Sequence, residues 1–269
     1  MGLFLFCSAG VSYILGLLFY FYYLLTHREL LYRISFYFLI FGFGLHTGSF
    51  VYRLFFFTAL LFSNFFETLF FASWVMMGTY LMVSRFYRLT VVGIVLIPLS
   101  ILMMYFSRVF EARVISDMLN SSWRDVHVAA AVIGQCFLGL SSVIGFLYWF
   151  QERRLKQKDI FKPTLFPPIE VLERMHYRIL MIGFLTLSLG MIAGSFWATQ
   201  IWPANSFLEP KQMGSFIGWC MYGGILQVRY VTGLRGRKAA WFSGVALFIL
   251  IFNYVAITFL FPGHHGFVQ

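Results

Sequence analysis

Residues 3 to 25 read LFLFCSAGVSYILGLLFYFYYLL, twenty-three residues without a charge. A helix of that length is about 35 Å long, enough to cross the roughly 30 Å hydrocarbon core of a bilayer. The run closes on the aromatic cluster Phe19, Tyr20, Phe21, Tyr22 and Tyr23 instead of a small-residue cleavage site, so it reads as a retained membrane helix and not a signal peptide. Outward from it, seven further apolar runs of spanning length lie at roughly 35–57, 65–83, 89–106, 126–149, 178–201, 214–232 and 240–261. The expected fold is therefore all-α: a polytopic membrane bundle of about eight transmembrane helices, forming a single domain over 1–269. The longest polar stretch, Gln151 to Tyr177, is too short for a soluble domain, and no internal repeat is visible.

Composition agrees. The chain is 60% hydrophobic and 11% charged, with a mean hydropathy of +0.80, which a water-soluble fold cannot bury. The net charge of +10 does not point to nucleic acid, because the basic residues sit in short clusters between apolar runs and report topology. Sorted by alternate loops, 15 Lys and Arg residues fall on one side and 5 on the other, the sparse side holding Arg53, Arg108, Arg113, Arg124 and Lys211. The positive-inside rule then puts both termini outside the cytoplasm. The outer side receives Ser107 to Asp125, whose apolar spacing suits a helix lying in the interface, together with Trp202 to Met213 and the tail from Pro262.

The chemistry available is narrow. Cys7, Cys136 and Cys220 form neither a CxxC pair nor a CxxCH haem-attachment motif, so the chain is not itself a c-type cytochrome. A phosphate-cradling glycine loop, a paired nucleophile and base, and paired carboxylates are all missing, which leaves hydrolysis without a starting point. Missing repeats and missing paired broken spans speak against a small-molecule transporter. What remains is histidine. Topology assigns His27 and His176 to cytoplasmic loops, His127 to the outer start of the fifth span, His264 and His265 to the outer end of the last, and His46 to the middle of the second. Neutral imidazole ligates iron well, and two histidines at helix ends suit a clamped haem with arginines at its propionates. Each histidine taken alone reads first as a polar residue of an interface or bundle interior and only second as a ligand. His46 stands out because ionisable groups at membrane depth are expensive; it should face inward, as a hydrogen-bonded residue or as a membrane-level ligand.

The stretches LHTGSFVYR, SNFFETLFFASW, HVAAAVIGQ, ERMHYRILMIGFLTLSLGMIAGSFWA, GLRGRKAAW and PGHHGF, in this order and spacing between His46 and Phe267, resemble the cytochrome c assembly family: the haem-handling CcsA or ResC proteins and their shorter HemX-like relatives. The resemblance implies a multi-pass protein of an energy-transducing cell inner (plasma) membrane. It implies haem b presented on the outer face for attachment to apocytochrome c, with a CcsB/ResB-type partner, as part of a haem lyase complex. His127 and His265 match the family's outer iron ligands, and Trp202 and Lys211 match its tryptophan-rich loop; His46 and Arg53 lie in LHTGSFVYR. Ser206, Leu208 and Gly214 replace tryptophans of that loop, and Gln227 replaces a membrane histidine. These departures favour the alternative, a HemX-like protein that regulates haem biosynthesis or assembly without attaching haem.

The topology is open to a direct check. In a chain whose native cysteines have been replaced, a cysteine introduced at Ser206 should react with a membrane-impermeant maleimide added to intact cells. One introduced at Gln157 should not; the reverse pattern would invert the assignment.

Overall fold

The computed structural model describes residues 2–56, 65–87, 90–109, 121–157, 167–201, 210–232 and 237–260. Among them are eight α-helices and no strand: α1 (Gly2–Thr26), α2 (Glu29–Phe56), α3 (Phe65–Phe86), α4 (Thr90–Val109), α5 (Ser122–Lys156), α6 (Ile169–Ile201), α7 (Pro210–Thr232) and α8 (Arg237–Leu260). Each expected apolar run lies on one of these helices. Six of them, α1 to α6, are long and apolar enough over the described residues to cross a bilayer, so the chain is a polytopic helical membrane bundle. The expected interfacial helix falls largely on 110–120, outside the described residues.

Two departures from the sequence reading share one cause. Helices α5 and α6 continue past the apolar runs, to Lys156 at one end and from Ile169 at the other. Polarity marks where a helix leaves the hydrocarbon, not where its backbone hydrogen bonds stop. In the last turns of α5 a Lys156–Glu152 pair at 2.8 Å and three basic residues facing the helix dipole keep the helix going. His176, expected in a loop, consequently lies within α6, 3% exposed.

The helices gather into two compact units, Met1–Val114 and Ile115–Gln269. In the first, α1 turns back into α2 through His27 and Arg28. His27 adopts φ 54°, the left-handed conformation usual for glycine after a helix, and its N–H donates to the Tyr23 carbonyl at 2.7 Å. Serines then pin the pairs: Ser12 Oγ donates to the Phe38 carbonyl and Ser35 Oγ to the Gly16 carbonyl, each at 2.7 Å. Ser73 and Ser100 do the same reciprocally between α3 and α4, at 2.8 and 3.0 Å. Lipid gives no hydrophobic reason for one helix to prefer another, so small polar residues and close packing supply it.

In the second unit α5 and α6 approach almost backbone to backbone. A Cβ placed on Gly134 would stand 2.7 Å from the Leu187 nitrogen, and one on Gly190 would stand 2.8 Å from the Ala131 nitrogen. Deeper in the unit, His176 Nε2 meets Ser243 Oγ at 3.1 Å, Ser142 Oγ donates to the Ser243 carbonyl at 3.0 Å, and Ser141 Oγ donates to the His176 carbonyl at 3.0 Å. Tyr222 of α7 reaches the same Ser243 carbonyl at 3.4 Å. All four helices of the unit thus share one polar knot. Leu138, Leu180, Leu187, Tyr222, Ala246 and Leu250 pack around it as the apolar core.

The seam makes its own prediction. Gly134→Ala should destabilise the chain in detergent by about 1–3 kcal/mol, since backbone must move. Gly139→Ala, on the same helix with only Leu247 Cδ1 at 3.9 Å, should be near neutral. Thermal unfolding of the two variants measures the difference.

Candidate functional site

The first candidate centre is in the Met1–Val114 unit. His46 sits midway along α2, 0% exposed, with its Nδ1 3.3 Å from the Tyr13 hydroxyl of α1. Its ring lies 4.4 Å from that of Phe70 on α3 and 6.0 Å from that of Tyr13. The inward orientation expected for an imidazole in hydrocarbon is therefore observed. Gly42 makes room for Tyr13: a Cβ there would lie 2.7 Å from the phenol ring. Nε2 of His46 is buried and makes no well-formed hydrogen bond among the described residues, although the Phe70 backbone approaches the ring. A buried ring nitrogen without a partner costs free energy unless something not belonging to the protein completes it. Imidazole is a donor type that fits haem iron.

Arg53 lies two turns along α2 and forms an ion pair with Glu67 at the start of α3. That pair closes the end of the helix hairpin where a turn was expected. Thr47, beside His46, accepts the Trp74 indole N–H at 2.8 Å, and Trp74 stacks on Phe43 at 5.4 Å and on Phe50 at 5.9 Å. The walls around His46 are therefore aromatic.

The second centre is in the other unit, near the start of α5. Ser121 caps the helix, accepting from the Trp123 N–H at 3.3 Å, and its own hydroxyl donates to Gln200 Oε1 of α6 at 2.8 Å. This ties the first turn of α5 to the last of α6. In the next turn His127 Nδ1 lies 2.7 Å from the Gly190 carbonyl. A carbonyl only accepts, so Nδ1 carries the proton and Nε2 carries the lone pair. Trp197 lies 6.2 Å from the imidazole, and Trp123 lies 4.9 Å from Phe196, centroid to centroid. Arg124 is buried, 2% exposed, and is held by Asp125 at 2.8 Å, whereas Arg108 of the first unit covers the Phe6 ring at 5.2 Å.

Of the other residues singled out in the sequence, Trp202 and His265 lie outside the described residues, and Lys211 is in the first turn of α7. Among the described residues no group of three His, Cys, Asp or Glu forms a metal cage. Tyr13, Phe70, Gly190 and Gly194 were not legible as site residues. The one available sign was the four-residue glycine spacing, which reads first as helix packing.

The Tyr13–His46 pair predicts a non-additive result. Tyr13→Phe alone should cost about 1–3 kcal/mol of stability in detergent, by removing the hydroxyl that meets the buried imidazole Nδ1. Adding His46→Leu should recover part of that loss, because both polar partners are then gone; a double-mutant cycle by thermal unfolding measures the coupling.

Comparison with known proteins gives the same picture over most of the chain. The family model described as "Cytochrome C assembly protein" matches residues 62–265. "Cytochrome c biogenesis protein CcsA" of Prochlorococcus marinus (strain AS9601) is 26% identical over 231 residues, covering 76% of this chain and 75% of that protein. The protein of the same name from strain MIT 9312 is 27% identical over 233 residues, covering 76% and 75%. That from Trieres chinensis is 26% identical over 239 residues, covering 76% and 77%. With the matched region spanning α3 to the end of α8 and the second histidine centre inside it, the chain belongs to the cytochrome c assembly protein family.

Proposed function

We propose that this chain handles haem in cytochrome c biogenesis, presenting haem b on the outer face of an energy-transducing membrane for attachment to apocytochrome c. The observation that carries the reading is His127, whose Nδ1–H is held by the Gly190 backbone carbonyl, so that Nε2 is the basic nitrogen of the ring. Metal-ligating histidines are oriented in this way by a carbonyl or carboxylate on the other ring nitrogen. Family membership and the CcsA relatives support the pathway.

In this reading His127 and His265 would hold the haem iron on the outer face. Trp202 covers a haem face and Lys211 pairs with a propionate, since a partly exposed haem needs apolar cover and cations. Bound haem supplies an iron that accepts two imidazoles and vinyl groups that receive cysteine thiols. The chain's own contribution is to fix the ligand rings, exclude water with Trp and Phe, and leave the porphyrin edge open. His46, with Arg53 seven residues further along α2, forms a second site at membrane depth, supported by its buried Nε2. A CcsB/ResB-type membrane protein is the partner expected to bring apocytochrome c, and the cell inner membrane is the proposed location.

The second reading, a HemX-like regulator of haem biosynthesis or assembly, has its own support. Gln227 stands where the family has a membrane histidine and is exposed on α7.

The test is the absorption spectrum of the detergent-purified protein. Wild type should show a six-coordinate low-spin haem. His127→Ala with His265→Ala should reduce it about tenfold or more. Wild type free of haem would favour the regulatory reading, and a double variant with undiminished six-coordinate haem would overturn the ligand pair.

A further inference from the structure

The face of α6 opposite His127 is bare. Gly190 and Gly194 are one turn apart, and in a helix the carbonyl of one residue is bonded by the N–H four residues on, with the intervening surface covered by side chains leaning toward the N-terminus. At position 194 there is no side chain to lean. The Gly190 carbonyl is thereby open from the side, and the His127 imidazole fills the space: a Cβ on Gly194 would collide with Nδ1 and lie 2.7 Å from Cε1 and 3.1 Å from Cγ. The carbonyl's second lone pair then takes the Nδ1–H at 2.7 Å.

The two glycines do different work. A Cβ on Gly190 would strike the backbone of α5 at Ala131, 2.8 Å from its nitrogen, so Gly190 is required for the helices to approach. A Cβ on Gly194 meets, as its three nearest neighbours, only atoms of the His127 ring. Were helix approach the sole purpose of this seam, a glycine at 194 would be needed only against backbone. It is needed instead against one imidazole.

We propose that Gly194 is a positioning residue: by leaving the Gly190 carbonyl uncovered it fixes the His127 ring as the Nδ1–H tautomer and aims Nε2 away from α6, setting the ligand before haem arrives. This rests on the reading of His127 as an iron ligand. Preset orientation matters because a neutral histidine in a free rotamer presents either nitrogen, and second-shell partners of metal ligands are typically worth about 10- to 100-fold in affinity.

The experiment uses the full chain in detergent, with two readouts. The first is the ¹⁵N spectrum of histidine-labelled protein without haem, in which the His127 ring is assigned by its loss in His127→Ala. Wild type should show the Nδ1–H tautomer and Gly194→Ala a mixture or the Nε2–H form. The second is haem titration followed by absorption. Gly194→Ala should lose about tenfold or more in affinity, with six-coordinate signal restored by added imidazole, while Gly139→Ala behaves as wild type.

An unchanged tautomer and unchanged haem affinity in Gly194→Ala would overturn the inference. His127→Ala with full affinity would overturn the ligand reading instead, and the tautomer readout would still decide the role of Gly194. If Gly194→Ala does not yield folded protein, the wild-type spectrum decides: a predominant Nε2–H form at His127 sinks the proposal.

Discussion

Helices in hydrocarbon satisfy their own backbone groups, and nothing in lipid forces one apolar helix against another. What holds α5 against α6 is therefore the near-contact of their backbones across Gly134, Gly183 and Gly190. Everything at the His127 end follows from that proximity. Dispersion between closely packed backbones grows steeply as separation falls, and side-chain hydrogen bonds to carbonyls become possible only once no Cβ stands in the way. The same absence of side chains that stabilises the pair exposes the carbonyl that orients the imidazole.

Three buried or half-buried histidines show how the second ring nitrogen decides the role of the first. His176 meets Ser243 Oγ, within a knot of serines and Tyr222 that joins four helices, and it serves architecture. His127 is held by a backbone carbonyl, which is a directed and single-valued anchor. His46 is held by the Tyr13 phenol, which can donate or accept, and the Phe70 backbone also approaches its ring.

The basic residues divide similarly. Arg53 meets Glu67, Arg124 meets Asp125, and Arg229 meets Glu173 at 3.4 Å while its guanidinium covers Tyr177 at 4.4 Å. Charges near the ends of membrane helices are expensive to leave unpaired, so carboxylates on the same or a neighbouring helix take them. A sequence count of arginines available to haem propionates therefore overstates what the fold leaves accessible among the described residues.

How much was legible follows from which forces are local. Apolar run length determined the helices, because hydrocarbon thickness sets the number of residues a span needs, and that reading carried the fold class, all eight elements and the inward placement of His46. His127 was singled out by family motifs in the sequence. The ends of α5 and α6 were not legible, since a helix outlasts the apolar run that marks the membrane, and His176 moved from loop to core for that reason. Tyr13 beside His46, and Gly194 beside His127, were decided only by tertiary structure. Each acts on a residue 33 or 67 positions away in the chain, and no periodicity within one helix records which face of a second helix will come to rest against it.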